Sequence, residues 1–379
     1  MSLVYNDDER MLREAAQEFL AAEAPVSAQR ALHGTADPSG FSRALWAKMA
    51  EMGWSGILVP EAHGGLGFAH AGAGILCEQM GHTLCASPFL ATAVLGATVL
   101  QCAGSEAQQA ALLPAVAAGR HLLALAADES ARHDPLMIDT RASSNGAGWR
   151  LDGNKTAVID GHVADTLIVS ARTTGGARAT HGISLFLVPA ASAGLGIERV
   201  VTVDARNLAR VRLDGVELGG DALLGELHGG FPALERALDI GRICLAAELL
   251  GLATAAFTRT VEYLRTRKQF GRLIGEYQAL QHRAAKLFCE LELARSAVLC
   301  ALRAADDRTA ALAAHASLAK AKAAEVATLA VNEAVQMHGG IGMTDDLDIG
   351  LFMKRAAAAR TLLGDAWFHT DRYAALSGF

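Results

Sequence analysis

The sequence predicts an α+β protein of three successive domains: an N-terminal all-helical domain, a middle antiparallel β domain and a C-terminal helical bundle. Apolar residues recur at helical spacing up to about residue 118, and after residue 120 they fall in short alternating or β-branched runs. After Pro232 the chain contains no further proline and follows long helical patterns. We therefore place the domains at residues 1–119, 120–228 and 229–379.

The first domain opens with an amphipathic helix predicted from Asp7 to about residue 24, and the stretch Asn6-Asp7-Asp8 supplies cap chemistry. A second helical pattern covers residues 41–52. The glycines that follow predict a short extended piece at residues 53–61 and a turn at Gly64 and Gly65. Further helices are predicted at residues 71–84, 89–102 and 105–117, the last with Ser105 at its start.

The middle domain consists of short runs separated by Gly, Asn, Asp and Pro. We expect strands at residues 122–127, 138–142, 149–152, 156–159, 166–171, 183–188, 197–203 and 209–213. Because no helical pattern separates these runs, the glycines do not indicate a Rossmann fold.

The last domain reads as helices at residues 231–266, 275–304 and 308–337, followed by a final pair beyond Asp345. Long helices with short breaks indicate a bundle. The alanine-rich stretch at residues 310–330 has few large side chains, which favours close helix packing.

Composition excludes several functions for the 379-residue chain. Its net charge is −6 with both signs interspersed and no basic run, so we expect no nucleic-acid partner. Charged residues interrupt the apolar runs, so we expect no membrane segment, and the acidic N-terminus lacks signal-peptide character, which predicts a cytoplasmic protein. The six cysteines show no C-x-x-C pair or zinc spacing, so we expect reduced core residues and no metal site.

One stretch, Gln336 to Gly342, closes the alanine-rich pattern with a glycine cluster. Glycines at 339, 340 and 342 let the backbone take positive φ and approach a ligand closely. Taken alone, the stretch is more typical of a helix C-cap. A cofactor turn and a simple helix end are therefore both open from this stretch.

Three strings together resemble the acyl-CoA dehydrogenase family. They are Gly-Trp-Ser-Gly-Ile-Leu-Val-Pro-Glu at residues 53–61 with the glycines at 64–67, Tyr-Leu-Arg-Thr-Arg-Lys-Gln-Phe-Gly at residues 263–271 followed by Gln278, and Gln-Met-His-Gly-Gly-Ile-Gly at residues 336–342. The resemblance covers essentially the whole chain. It implies the three-domain order described above, with a C-terminal four-helix bundle that assembles into dimers or dimers of dimers.

The resemblance also implies a reaction and a cofactor. Family members desaturate an acyl-CoA thioester between its α and β carbons, with FAD at the dimer interface, and pass electrons to an electron-transfer flavoprotein. The matching cofactor-binding residues here are Arg267, Phe270, Gln278, Gln336, Gly339 and Gly340. In the family's arrangement the arginine reaches the pyrophosphate of the neighbouring subunit's FAD, for which a planar guanidinium is suited.

The family's proton-abstracting glutamate is missing. Counted without gaps from Gly339, its position is Leu363. In members that carry the base on another helix, it precedes an arginine that matches Arg242, and that position is Gly241. Asp365 remains a weak candidate, and its ordinary role would be an exposed or capping carboxylate.

The strands that face the flavin in the family are also altered. Ala157 stands in place of the tryptophan that shields the ring, and hydroxyls are absent at Ala127 and Ile159. His133 could donate a hydrogen bond, although a surface histidine in a polar loop is the interpretation we favour. Gly153, Lys155, Ala164 and Asp165 keep the family pattern.

The sequence thus matches the family pattern better at the residues that contact a partner's FAD than at the residues that hold its own flavin. We expect a family member that acts on an acyl-CoA, as the base-lacking subunit of a heteromer or as a homo-oligomer. Two alternatives are a non-catalytic subunit that completes another chain's FAD site, and a flavin monooxygenase on the same fold, which needs no glutamate base.

Overall fold

A computed structural model describes residues 3–35 and 37–379, so Met1 and Ser2 of the acidic N-terminus lie outside it. Two compact units emerge from the packing of these residues. The bundle unit comprises residues 3–35, His70–Ala86 and Arg242–Phe379, and the sheet unit comprises Asp37–Ala69 and Ser87–Gly241. The N-terminal helices are shared between the two units, and the predicted domain boundaries remain predictions.

The sheet unit is built on an eight-stranded sheet with the order β6-β7-β3-β2-β4-β5-β8, in which β1 lies beside β4. The strands are β1 (Leu123–Ala126), β2 (Arg141–Ser144), β3 (Gly148–Ile159), β4 (Thr166–Arg172), β5 (Ile183–Pro189), β6 (Leu195–Val201), β7 (Asn207–Gly219) and β8 (Leu223–Leu224). Neighbouring strands are antiparallel except beside β4, where β1 and β2 run parallel to it. The long loop between β1 and β2 permits this direction.

Two differences from the predicted strands have local causes. The runs at residues 149–152 and 156–159 form the single strand β3. Its pairing with β7 shifts register after Leu151 and after Lys155, and these irregularities allow the strand to continue between the two runs. The short strand β8 was not predicted, since two residues carry no alternating pattern. Buried side chains from β1 to β5 and from β7 form the core of this unit.

The helices of the sheet unit are α3 (Arg43–Glu51), a π-helix (Phe89–Gly96), α5 (Ala97–Ala103) and α6 (Glu106–Ala117). Ser105 caps α6 in a capping box with Gln108, which confirms the predicted start. The predicted extended piece at residues 53–61 is wrong. It consists of two 3₁₀ turns, at Trp54–Gly56 and Glu61–His63, whose ends at Gly53 and Gly64 adopt left-handed conformations.

The bundle unit contains α1 (Asp7–Glu23), α2 (Val26–His33), α4 (His70–Thr83), α8 (Gln278–Asp306), α9 (Leu312–His338), α10 (Ile349–Ala359), α11 (Ala366–Leu376) and most of α7 (Phe231–Thr266). Asn6 and Glu9 form a capping box on α1. Close approach of α4 and α7 requires glycine, because a Cβ at Gly81 would lie 2.2 Å from the Glu248 carbonyl oxygen. The helices predicted for this part of the chain are confirmed.

Helix α7 is long and apolar enough to cross a membrane by length and composition, although Arg242 and Glu248 interrupt its apolar stretch as expected. However, 89% of its apolar window is buried inside the fold, which identifies α7 as a core helix. Its Glu248 forms a buried, bidentate ion pair with Arg355 of α10, with the Arg355 Nε atom 2.8 Å from Glu248 Oε1. Such a pair fixes the register of the two helices.

The cysteines are all free, as expected, but only half of them are core residues. Cys77, Cys85 and Cys244 are buried, Cys300 is half-buried, and Cys102 and Cys289 are exposed. The prediction of core positions was wrong for the exposed pair, because an apolar sequence pattern does not reveal which face of a helix lacks a neighbour.

Candidate functional site

One end of the bundle brings three distant segments together. Leu264 near the end of α7, Ile274 before α8 and Met337 at the end of α9 form a buried cluster. The rings of Tyr263 and His338 stack with their centroids 4.4 Å apart. The six cofactor-binding candidates therefore lie on neighbouring segments: Arg267, Phe270, Gln278, Gln336, Gly339 and Gly340.

Arg267 directly follows α7 and enters a hairpin that the sequence patterns did not predict. The hairpin pairs β9 (Lys268–Gln269) with β10 (Arg272–Leu273). The Ile274 amide donates to the Arg267 carbonyl oxygen at 2.9 Å and fixes the base of the hairpin. Within the described residues the exposed Arg267 guanidinium has no hydrogen bond or ion pair. It is free to bind an anion.

Phe270 occupies the tip of this hairpin. Its side chain is 91% exposed and its φ is +53°, a left-handed conformation that is strained for a phenylalanine. Gly271, with φ +82°, completes the turn. An exposed aromatic residue held in a strained turn is suited to contact another molecule.

The glycine cluster ends α9 and leaves open space. Gly339 has φ +67° and ψ −141°, which only glycine adopts readily, and a Cβ at Gly339 or Gly340 would meet no atom within 4 Å. Gln336 is exposed on the last turns of α9. The backbone at Gly339 and Gly340 is therefore accessible to a ligand. The cluster is both a helix end and an accessible surface, the two interpretations that the sequence left open.

His338 sits beneath this surface. Burial lowers the pKa of its imidazole, although the bond of Nδ1 to the Ala334 carbonyl oxygen at 2.8 Å opposes this shift. The ring is neutral at pH 7 and supports the cluster by stacking on Tyr263.

The position of the missing base lies in the turn between α10 and α11. Leu363 has φ +57° and is only 9% exposed. Its carbonyl oxygen accepts hydrogen bonds from Arg242 Nε at 3.3 Å and His369 Nε2 at 3.0 Å. These two hydrogen bonds hold the turn firmly, but the Leu363 side chain cannot accept a proton.

Lys320 of α9 is a buried neighbour of this turn that sequence reasoning missed. Its ammonium group is fully buried and donates to the Gly364 carbonyl oxygen at 2.9 Å and to the Arg360 carbonyl oxygen at 3.0 Å. Burial, reinforced by the nearby charge of Arg242, lowers the pKa of Lys320 to about 7. The only signal in the sequence was a lysine within an otherwise apolar stripe of the alanine-rich helix.

The two other candidate base positions are occupied by groups with structural roles. Gly241 is buried within α7 and has no side chain to offer. Asp365 is exposed and forms the N-cap of α11, where its carboxylate accepts a hydrogen bond from the Phe368 amide at 2.8 Å. Its geometry matches the capping role weighed above.

In the sheet unit, Ala127 is buried and Ala157 and Ile159 are half-buried, so none of the three presents a hydroxyl or an aromatic ring. Lys155 is fully buried and its Nζ lies 2.6 Å from Glu129 Oε1. Burial acts to raise the pKa of Glu129, but the Lys155 ammonium and nearby hydrogen-bond donors outweigh it and lower that pKa. This buried pair closes the loop after β1.

The surface interpretation of His133 was wrong. The residue is only 8% exposed, and its Nδ1 lies 2.8 Å from Asp128 Oδ2. The loop folds back so that a histidine within a polar sequence becomes buried against a carboxylate. Sequence alone gave no sign of this, because the pairing depends on the path of the loop.

A helical domain, a β domain and a helical bundle follow one another in this order. One end of the bundle carries an open glycine cluster and an arginine that has no partner among the described residues. These features are those of the class of flavin-dependent acyl-CoA oxidoreductases. Family models describe the same three parts: the acyl-CoA dehydrogenase N-terminal domain matches residues 6–120, the middle domain residues 124–216 and the C-terminal domain residues 228–375. The chain belongs to the acyl-CoA dehydrogenase family.

Relatives and solved structures agree with this assignment. The chain is 32% identical over 364 residues to the probable acyl-CoA dehydrogenase YngJ of Bacillus subtilis (strain 168), covering 94% of each chain. It is 31% identical to a variant of the Tcur3481-Tcur3483 steroid ACAD, with a TM-score of 0.88 over 98% of each chain. With the ChsE4-ChsE5 complex of Mycobacterium tuberculosis it shares 26% identity and a TM-score of 0.90 over 100% of each chain.

FAD is the cofactor that membership of this family implies. The bundle end fits part of it: an unpaired arginine suits the diphosphate, and open glycine backbone suits close approach of a nucleotide. The strands fit less well, because Ala127 and Ile159 offer no side-chain donor for a flavin ring. Backbone groups alone would serve there.

Proposed function

We propose that this chain is the base-lacking subunit of a heteromeric acyl-CoA dehydrogenase and completes the FAD site of a related, glutamate-bearing chain. The observation that carries the proposal is Leu363, an aliphatic side chain on a firmly held turn at the position of the family's base. Both solved relatives named above have two named chains, which supports a heteromer.

Proton abstraction is the step this chain cannot supply. A base for the α-proton must be a carboxylate placed at that carbon in a dry pocket. Leu363 and Gly241 have no ionisable group, and the Asp365 carboxylate is exposed and engaged as a helix cap. We therefore assign the base to the partner chain.

Cofactor binding is the step this chain supplies. Arg267 binds the diphosphate of the partner's FAD, and the backbone at Gly339 and Gly340 contacts its adenosine side, with Gln278 and Gln336 as flanking amides. When bound, FAD accepts the hydride from the substrate's β-carbon. Phe270 packs against the neighbouring subunit and excludes water from this contact.

The proposed substrate is an acyl-CoA thioester, and the proposed electron acceptor is an electron-transfer flavoprotein, in the cytoplasm. A relative at 29% identity is the caffeyl-CoA reductase-Etf complex subunit CarC of Acetobacterium woodii, which supports both parts. The steroid substrate class of the Tcur3481-Tcur3483 enzyme makes a bulky acyl group the first to test.

The test compares the purified chain alone with the chain co-expressed, one at a time, with the glutamate-bearing acyl-CoA dehydrogenase chains encoded in the same genome. We expect little dehydrogenase activity and little FAD in the chain alone, and both in the complex. Full activity of the homo-oligomer on an acyl-CoA would contradict the proposal. One FAD per chain without activity would instead show that the chain's own flavin site is intact.

A further inference from the structure

The turn between β2 and β3 contains the only Asn-Gly pair of the sequence, Asn145–Gly146. Both residues are exposed, and Gly146 has φ +98°, a left-handed conformation that glycine adopts without strain. We propose that Asn145 is a site of spontaneous deamidation, in which the Gly146 amide nitrogen displaces the side-chain nitrogen. This covalent modification goes beyond the proposed function and does not depend on it.

The reaction needs only the chain and water. The Gly146 nitrogen bonds to Asn145 Cγ, the bond from Cγ to Nδ2 breaks, and Nδ2 leaves as ammonia with the Gly146 amide proton. The product is a five-membered cyclic imide. Water opens this imide at Cγ to give aspartate, or at the backbone carbonyl carbon to give isoaspartate, which has an additional methylene group in the backbone. In both products an amide has become a carboxylate, so the chain gains a negative charge.

Two features of the turn leave this reaction unhindered. Within the residues that the structure describes, the Gly146 amide makes no hydrogen bond, so its nitrogen is available for attack. A Cβ placed at Gly146 would meet no atom within 4 Å, so the ring can close in open space. The hydrogen bond from the Asn145 amide to the Gly148 carbonyl oxygen, 3.1 Å long, holds only the base of the turn.

Three aspartates also precede glycine and can form the same imide. At two of them the glycine amide already donates a hydrogen bond: Gly161 to the Val158 carbonyl oxygen at 3.2 Å, and Gly215 to Asp152 Oδ1 at 2.8 Å. The third aspartate is Asp152 itself, which lies inside β3, where pairing with β7 restrains the backbone. The fold therefore favours Asn145 among these four positions.

Deamidation changes the contacts of the turn. The Asn145 Nδ2 atom donates to Glu217 Oε2 on β7. A carboxylate at position 145 loses this donor and places a second negative charge beside Glu217, and like charges on neighbouring strands repel each other. Trp149 pairs with Ser144 next to the turn and packs on Phe186 with ring centroids 5.3 Å apart, so its emission reports a disturbance there.

The test follows the purified full-length chain at mildly alkaline pH, in buffer and in urea, by peptide mass spectrometry that distinguishes aspartate from isoaspartate. In the peptide that contains Asn145 we expect both products, with a mass increase of about 1 Da, at a rate within about threefold of that in the unfolded chain. Conversion in the unfolded chain only would overturn the proposal, because the fold would then protect the turn. Isoaspartate that forms first at Asp160 or Asp214 would also overturn it.

Asn145→Gln is the matched control. It keeps an amide at the turn, but its longer side chain requires a six-membered ring, so conversion at this position should fall by about tenfold or more. Undiminished conversion in Asn145→Gln would contradict attack by the Gly146 nitrogen.

Asn145→Asp separates the effect of the new charge from that of the altered backbone. It should lower the melting temperature by about 1 °C and change the Trp149 emission in the native background, and do neither in Glu217→Gln. The same result in both backgrounds would refute the repulsion between positions 145 and 217. None of these measurements involves flavin or a partner chain, so their outcome is independent of whether the chain is base-lacking.

Discussion

Lys320 buries an ammonium group whose pKa lies far below the ordinary value of a lysine. It lies in the protein interior, its hydrogen bonds go to two backbone carbonyl oxygens of the turn at Arg360–Gly364, and Arg242 contributes a repelling charge. An ammonium in such a place is costly to bury. The turn that presents Leu363 therefore depends on a lysine that is close to losing its proton at neutral pH.

Replacement of Lys320 by methionine should remove a pH dependence of stability. The pKa of Lys320 is about 7 in the folded chain and 10.5 for an ordinary lysine, so the unfolded chain binds more protons between these values. Stability should therefore rise with pH from about 7 to 10.5. At about 1.36 kcal/mol for each pH unit between the two pKa values, the ceiling is about 5 kcal/mol.

Urea unfolding at several pH values across this window measures the slope. Lys320→Met should flatten it, whereas Lys322→Met should leave it unchanged, because Lys322 pairs with Glu290 at the half-exposed surface of the same helix. Equal slopes for the native chain and Lys320→Met would show that the lysine is not titrating in this range.

The elements that sequence predicted well carry their own local signals. Helices α1 and α6 begin at capping boxes whose residues are three apart in sequence, and α9 ends at glycine. The features that were missed depend on the path of a loop or on very short pairings. The hairpin that carries Phe270 has two residues per strand, and His133 is buried because Asp128 approaches it.

The same limit applies to the candidate site. The family motifs in the sequence predicted that Arg267, Gln336 and Gly339 belong to the candidate site. The packing of Leu264, Ile274 and Met337 explains why the segments that carry these residues lie together. No pattern could place Lys320 beneath the turn, since the contact joins residues 44 apart in sequence. Long-range hydrogen bonds to backbone carbonyls produce no periodic pattern in the sequence.

The end of α9 allows folding and ligand contact to be separated by two neighbouring substitutions. Gly339→Ala should cost about 1–3 kcal/mol, because its backbone conformation is strained for any residue with a Cβ. Gly340 has no positive φ and open space around it, so Gly340→Ala should leave the melting temperature unchanged.

In the complex with a glutamate-bearing chain, Gly340→Ala should nevertheless weaken FAD retention, because a methyl group would occupy space that the coenzyme approaches. Thermal unfolding and flavin titration of the two variants separate these effects. If Gly340→Ala retained FAD as the native complex does, the glycine would be only a helix end.

At the scale of the whole molecule, the two units differ in what they retain. The bundle unit has an exposed arginine without a partner among the described residues and open glycine backbone, while the sheet unit has alanine and isoleucine at positions 127 and 159. This asymmetry is what the proposed heteromer requires, in which this chain contributes to a site that another chain completes. The flavin content of the complex should then depend on residues of this chain that contact no substrate.

Arg267→Gln tests this dependence most directly. It should lower the FAD affinity of the complex by about tenfold or more, since a charge-assisted contact with phosphate contributes about 1.5–3 kcal/mol. Arg267→Lys should give an intermediate loss, because it keeps the charge but not the planar fork.

Arg210→Gln, which removes an exposed arginine 3.6 Å from Glu198, serves as the control and should leave flavin content unchanged. Raising the salt concentration should weaken FAD binding more in the native complex than in Arg267→Gln, because an exposed charge contact is screened. Equal flavin content in all three variants would place the arginine outside the cofactor site and leave the open end of the bundle to packing between chains.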